Sequence, residues 1–277
     1  MAAATSDSST NAASLAELRD VAIAREPDRY FAATLAPATL RYDLVVLAAF
    51  AAEIGRVPDQ VREPLAGEIR LQWWRDALLG VNGEAAAGHP VAVAMRATMQ
   101  RFALPTEVLE GVIDAQAHIL HDERPIDEAA LRARLAASEG GLFRLAARIC
   151  AAGSDDLDDM ETAGLAGLAY GLSRGLLPTQ EHEAAPDLIP RSLLADADER
   201  SAVRALTDLA RATHADVAAR MRQMSRRQRL AYLPLAMVRP NLRALEREDT
   251  QQRSRSSDAP PIVRLLRIGW AHVSGRV

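Results

Sequence analysis

The sequence contains no lysine. All 33 of its basic residues are arginine, against 37 acidic ones, and the formal net charge is −4. A GC-rich genome is the plain cause, and it leaves function open. Neither sign of charge forms a long run, so general nucleic-acid binding is not suggested. There is one cysteine, Cys150, inside an apolar helical stretch. It has no partner for an internal disulfide, and its expected place is the core. No CxxC pair or zinc set is present. Aromatic residues are only 4% of the chain. No apolar run approaches the ~20 residues needed to span a membrane as a helix. The opening residues, MAAATSDSSTNAAS, lack the basic and apolar regions of a secretory signal and the arginine of a mitochondrial presequence. These absences lead to the expectation of a cytoplasmic protein in a bacterium.

What is present is alanine and leucine at helical spacing. Hydrophobic residues make up 49% of 277, enough for a sizeable core in one large domain or two small ones. No alternating strand pattern flanked by turn dipeptides occurs. Apolar periods of 3.6 are joined by short connections, which predicts an all-α protein with one core. Residues 1–13 are small and polar and are expected to be disordered. Ser14 is placed to cap a helix over Leu15–Arg25. Pro37, Pro64, Pro90 and Pro105 each stand near a helix start, where the missing N–H does no harm. Gly80 closes one helix, Asp127 precedes another, and Pro234 should bend the helix over 225–248. The helical domain is expected to cover 14–248. A polar linker over 249–260 and an amphipathic C-terminal helix over 261–277 follow.

One segment is unusual. "ETAGLAGLAYGLSRGLLP", residues 161–178, places Gly164, Gly167, Gly171 and Gly175 at spacings of 3, 4 and 4. At 3.6 residues per turn they share one stripe. Each costs about 1 kcal/mol against alanine inside a helix, so the bare stripe calls for a reason. Close helix–helix packing is one.

The runs "DRYFAATLAPATLRYDLVVLAAFAAEIGRV" and "REPLAGEIRLQWWRDAL" within residues 28–78 resemble the squalene/phytoene synthase family. So do "LRARLAASEGGLFRLAARI" at 131–149, and the glycine-striped helix with "DLIPRSLL" after it. The resemblance covers about residues 15–248. It implies an isoprenoid-synthase-like helical bundle around a central apolar cavity that holds prenyl chains. Gly164, Gly167, Gly171 and Gly175, with Gly140 and Gly141 on a neighbouring helix, would then be candidates to line the pocket. Family enzymes join two prenyl diphosphates head to head. The metal that neutralises the leaving group needs hard oxygen ligands, which the family supplies as two aspartate-rich motifs. Where the first should stand, this chain reads Gly55-Arg56-Val57-Pro58-Asp59. Only Asp59 keeps a carboxylate, and Arg56 brings positive charge. Where the second should stand, Pro178 and His182 replace the aspartates. A family serine that contacts diphosphate falls near Arg29, a family aspartate falls near Ile119, and a family tyrosine is missing between Leu131 and Ala137.

This pattern resembles the branch that includes a mitochondrial factor for assembling respiratory complex I. That branch keeps segments like "GEIRLQWWRDAL" and "RPNLRAL" while lacking the aspartates. The resemblance implies a non-catalytic role in assembling a respiratory membrane complex, or as a lipid-binding scaffold. No cofactor is expected on that reading. A prenyl diphosphate transferase with altered Mg²⁺ ligands is the alternative. Partners would be a respiratory complex subunit or a prenyl lipid.

Gln72, Trp73, Trp74 and Arg75 are partner-binding candidates, since Trp and Arg are common interface anchors. Adjacent residues on a helix lie about 100° apart, so one Trp should enter the core. Asp114, His118, His121 and Asp122 have helical spacing suited to a metal but are read first as a solvated helix end. His182 lacks a paired nucleophile, and "DDLDD" at 155–159 is read as first-turn acid at a helix N-terminus. The basic, amphipathic C-terminal helix is a candidate for peripheral contact with an inner membrane.

Overall fold

The computed structural model describes residues 4–81, 88–152, 159–177, 188–246 and 259–277, with side chains from Leu15 onward. Among these residues there is no strand, and the chain is an all-α bundle. The first helix, α1, runs Ala4–Arg25. It therefore starts well before Ser14, which lies inside it rather than at its cap. No glycine or proline interrupts residues 4–25, so nothing in the chain there stops a helix.

At the centre is α3, Ala38–Gly55. Every residue from Asp43 to Ile54 is buried, and a helix that is apolar all round belongs in a core. Four helices pack on it: α1, α2 (Pro27–Thr34), α5 (Pro90–Phe102) and α8 (Gly141–Cys150). Two more, α4 (Pro64–Leu79) and α6 (Thr106–Leu120), form a neighbouring pair. The prolines act as helix starters: Pro27, Pro64 and Pro90 each open a helix. Gly80 takes a left-handed φ of 79° to close α4.

After Asp127, whose carboxylate accepts the Ala130 amide at 2.8 Å, the run forms α7 (Glu128–Leu135), a π turn over Ala136–Gly140, and α8. The glycine-striped helix is α9, Met160–Gly175, capped by Asp159. It packs against the π turn on one side and α11 (Glu199–Met221) on another. A short α10, Arg191–Asp196, precedes α11. The helix expected over 225–248 divides into three pieces: α12 (Arg226–Arg229), a 3₁₀ segment Leu230–Met237 and α13 (Val238–Leu245). Pro234 sits in the 3₁₀ segment, where its missing N–H and ring rule out regular α geometry. The last helix, α14 (Pro261–Ser274), lies on α2 and the 3₁₀ segment. Residues 247–258, which include most of the polar linker expected over 249–260, lie outside the described residues. No described helix is long and apolar enough to cross a membrane.

The apolar space between α2, α3, α8 and the 3₁₀ segment is narrow. Ala33, Leu47, Phe143, Ala231 and Pro234 line it, and Arg29 stands in its wall. Its volume is about 30 Å³, room for about two waters. One aromatic ring, that of Phe143, stands in its lining. Phe143 stacks on Tyr232 at 5.8 Å and meets Tyr170 edge-on at 5.7 Å.

Candidate functional site

The glycine stripe turns out to be a packing surface. A Cβ on Gly167 would stand 2.2 Å from the backbone nitrogen of Gly140 and 2.5 Å from its Cα. One on Gly140 would stand 3.1 Å from the Cα of Gly164. Gly171 faces Leu135 and Glu139, Gly175 faces Leu188, and Gly141 faces Val112. None of the six glycines lines the apolar space. Gly167 and Gly140 let α9 lie with its backbone directly against the α7–α8 turn, a separation that side chains at these two positions would forbid.

That approach brings a buried polar network together beside the apolar space. "EPDR", residues 26–29, supplies its first half. Pro27 starts α2, so Glu26 stands at the helix mouth and Asp28 and Arg29 fall in the first turn, all three buried. Arg29 donates from Nη1 to Glu26 at 3.0 Å and from Nη2 to Glu139 of the π turn at 2.6 Å. Arg174 of α9 donates to the other oxygen of Glu26 at 2.6 Å and to the Arg25 carbonyl at 2.6 Å. The Arg29 guanidinium also lies 5.1 Å from the Phe143 ring centre and 5.0 Å from that of Tyr170, a cation–π arrangement. Beside it, Asp28 accepts from the Tyr170 hydroxyl at 3.1 Å and from Arg264 of α14 at 2.6 Å.

The charges close on themselves. Arg29 and Arg174 face Glu26 and Glu139; Arg264 faces Asp28. Burial alone would raise the Glu26 pKa, but Arg174 and Arg29 hold it below the usual carboxylate range. Burial alone would lower that of Arg29, and Glu139 and Glu26 raise it instead. Burial, then Asp28, pushes the Tyr170 hydroxyl well above its ordinary value, so it serves as a donor. A diphosphate entering here would have to displace a carboxylate from each arginine and leave it buried without a partner, which is costly.

The other anticipated residues are scattered. Arg56 is at the end of α3 and pairs with Glu53 at 3.1 Å. Asp59, in a short 3₁₀ turn, pairs with Arg25. Neither lines the apolar space. Family metal chemistry would need carboxylates converging on one point. Among the described residues no three His, Cys, Asp or Glu side chains do so, and Asp59, Glu26 and Glu139 are each held by guanidinium. These residues do not fit a Mg²⁺ cluster. Pro178, His182 and Asp155–Asp158 lie outside the described residues.

Trp74 enters the core against Phe50, and Trp73 is half-buried against Trp74 and His89. Gln72 is exposed and bonds Asp76, while Arg75 reaches Asp114. The suspected metal set separates accordingly: Asp114 takes Arg75, His118 takes Glu123 and His121 takes Glu68.

Glu26, Asp28, Glu139, Tyr170, Arg174 and Arg264 were not anticipated as site residues. Tyr170 and Arg174 carried a local signal, four residues apart on a glycine-rich apolar helix. Glu139 and Arg264 carried none, since their partners are 110 and 236 positions away.

Helices of this order around a central apolar space define an isoprenoid-synthase-like fold. The solved squalene synthase HpnC from Alicyclobacillus acidocaldarius superposes with a TM-score of 0.66 at 18% identity, covering 85% of this chain and 94% of that one. The family model for squalene/phytoene synthase matches residues 24–261, and the chain belongs to that family. Curated relatives include the mouse NADH dehydrogenase (ubiquinone) complex I, assembly factor 6, at 26% identity over 160 residues, and its human counterpart at 26% over 158. The matches cover 58% and 57% of this chain and 47% of each relative, so the chain spans about half the length of the curated relatives it matches.

Proposed function

We propose that this chain is a non-catalytic member of the squalene/phytoene synthase family that acts as a scaffold in assembling a complex I-like respiratory membrane complex. One observation carries the reading. Beside the apolar space, where diphosphate chemistry would need free cations and free carboxylates, Arg29, Arg174, Glu26 and Glu139 neutralise one another. A network of this kind cross-links α2, α9 and the π turn and leaves no charge for a leaving group. The likeness to complex I assembly factors points to the partner class. Recognition would then rest on surface shape, with Gln72, Trp73 and Arg75 as anchors beside the buried Trp74. A prenyl lipid in a widened apolar space is a further occupant compatible with the scaffold.

Two measurements test this. Purified protein incubated with labelled farnesyl or geranylgeranyl diphosphate and Mg²⁺ or Mn²⁺ should give no head-to-head product. Product above the protein-free control would instead make the chain a transferase with altered ligands. In a deletion strain, complex I activity should fall and be restored equally by wild type and by Asp59→Asn. Affinity recovery of the tagged protein, with mass spectrometry of proteins and lipids, identifies the partner.

A further inference from the structure

The outer face of α14 is apolar and uncovered. Ile262, Leu266, Trp270 and Val273 are 60%, 65%, 72% and 79% exposed, and at 100° per residue they lie within about 80° of arc. The opposite face, Ile268 and Ala271, is buried. Residues 259–277 contain no acid, and the arginines not engaged with Asp28, Arg267 and Arg276, are exposed.

At the C-terminal end of this stripe lies a polar hollow of about 110 Å³. Arg226, Arg229, His272 and Ser274 line it, and no carboxylate does. Among the described residues Arg226 makes no ion pair. Among the described residues Arg229 donates only to the Arg222 carbonyl, at 3.1 Å, and its buried Nε has no partner. Gly275, at φ 69°, keeps the backbone close: a Cβ there would stand 2.6 Å from Arg229 Nη1. The Ser274 hydroxyl is spent on the Trp270 carbonyl at 2.7 Å, which leaves two guanidinium groups and an imidazole around a hollow with no acid as the donors for a phosphate.

We propose that α14 and this hollow bind an anionic phospholipid surface, with the stripe at the acyl boundary and the headgroup phosphate between Arg226 and Arg229. The features complement each other: an amphipathic helix with an exposed Trp suits the interface, and the acid-free basic face suits an anionic leaflet. That face favours a lipid surface over a second copy, whose own stripe would be equally basic. The site is independent of whether the protein assembles a respiratory complex.

The test is co-sedimentation of the full chain with phosphatidylcholine vesicles and with the same vesicles containing phosphatidylglycerol. The protein should partition only onto the second kind. Trp270→Ala with Leu266→Ser should abolish partitioning. Arg226→Gln and Arg229→Gln should each weaken it about fivefold, as removing about 1 kcal/mol of surface attraction does. Circular dichroism should be unchanged in every variant; Arg226 is exposed, so its variant reports even if Arg229→Gln perturbs the fold. Equal binding to neutral vesicles, or anionic binding indifferent to Arg226→Gln, overturns the proposal. So does saturable binding of inorganic phosphate without vesicle binding, or a dimer in light scattering that Trp270→Ala converts to monomer.

Discussion

His214 lies inside α11, almost fully buried. Burial, aided by Arg239, brings its pKa down to about 4. The folded state thus holds a neutral imidazole, while the unfolded chain binds a proton below its ordinary value of about 6.5. Stability from this group is intact above pH 6.5 and falls as pH drops towards 4, by about 3 kcal/mol in all. Urea midpoints measured across that window should decline, and His214→Gln should flatten the decline. Glu26 acts lower on the scale. Held below the usual carboxylate range, it stabilises above the unfolded value of about 4.3 and fails as pH falls through its folded value. Arg29→Met would leave the partly buried Glu139 without its guanidinium and Glu26 with Arg174 alone, at a cost of about 1–3 kcal/mol. Adding Glu139→Met should recover part of that loss in a double-mutant cycle of denaturant unfolding, because the two residues share one interaction.

At the scale of the helix, the stripe on α9 makes sharply different demands on neighbouring glycines. Gly167→Ala drives a methyl into the Gly140 backbone, which cannot rotate away, so a loss of about 1–3 kcal/mol is expected. Gly164→Ala meets only the Ala136 methyl at 3.6 Å, and should be neutral or gain up to about 1 kcal/mol from helix propensity. Thermal unfolding of both variants separates them, and equal destabilisation would contradict this packing. The helices themselves were legible. Apolar period, proline starts and Gly80 located nearly all of them, and Pro234 marked where regular geometry fails. The stripe was visible but not its purpose, because spacing reports which residues share a face and never what lies opposite. The network was largely illegible for the same reason. Arg29 and Glu139 stand 110 positions apart, and no local pattern announces their meeting.

At the scale of the whole molecule, α14 is tied to α2 by one buried ion pair, Arg264 to Asp28. Arg264→Gln should loosen this helix selectively. Hydrogen exchange should accelerate across Pro261–Ser274 while Asp43–Ile54 of α3 keeps its protection, and loss of a buried pair should lower overall stability by about 3–5 kcal/mol. Uniform acceleration through both helices would show that α14 is no separate unit.

The same tie orders events during synthesis. Tyr170 leaves the ribosome 142 residues after Asp28, and Arg264 236 residues after it. At about 5–20 residues per second the second interval lasts about 10–50 s. Throughout it a carboxylate destined for the interior lacks its cation, so α2 can settle into its final place only when Arg264 has emerged. A nascent chain that stalls before Arg264 is left with an unmatched interior charge, and that defect distinguishes it from the finished protein.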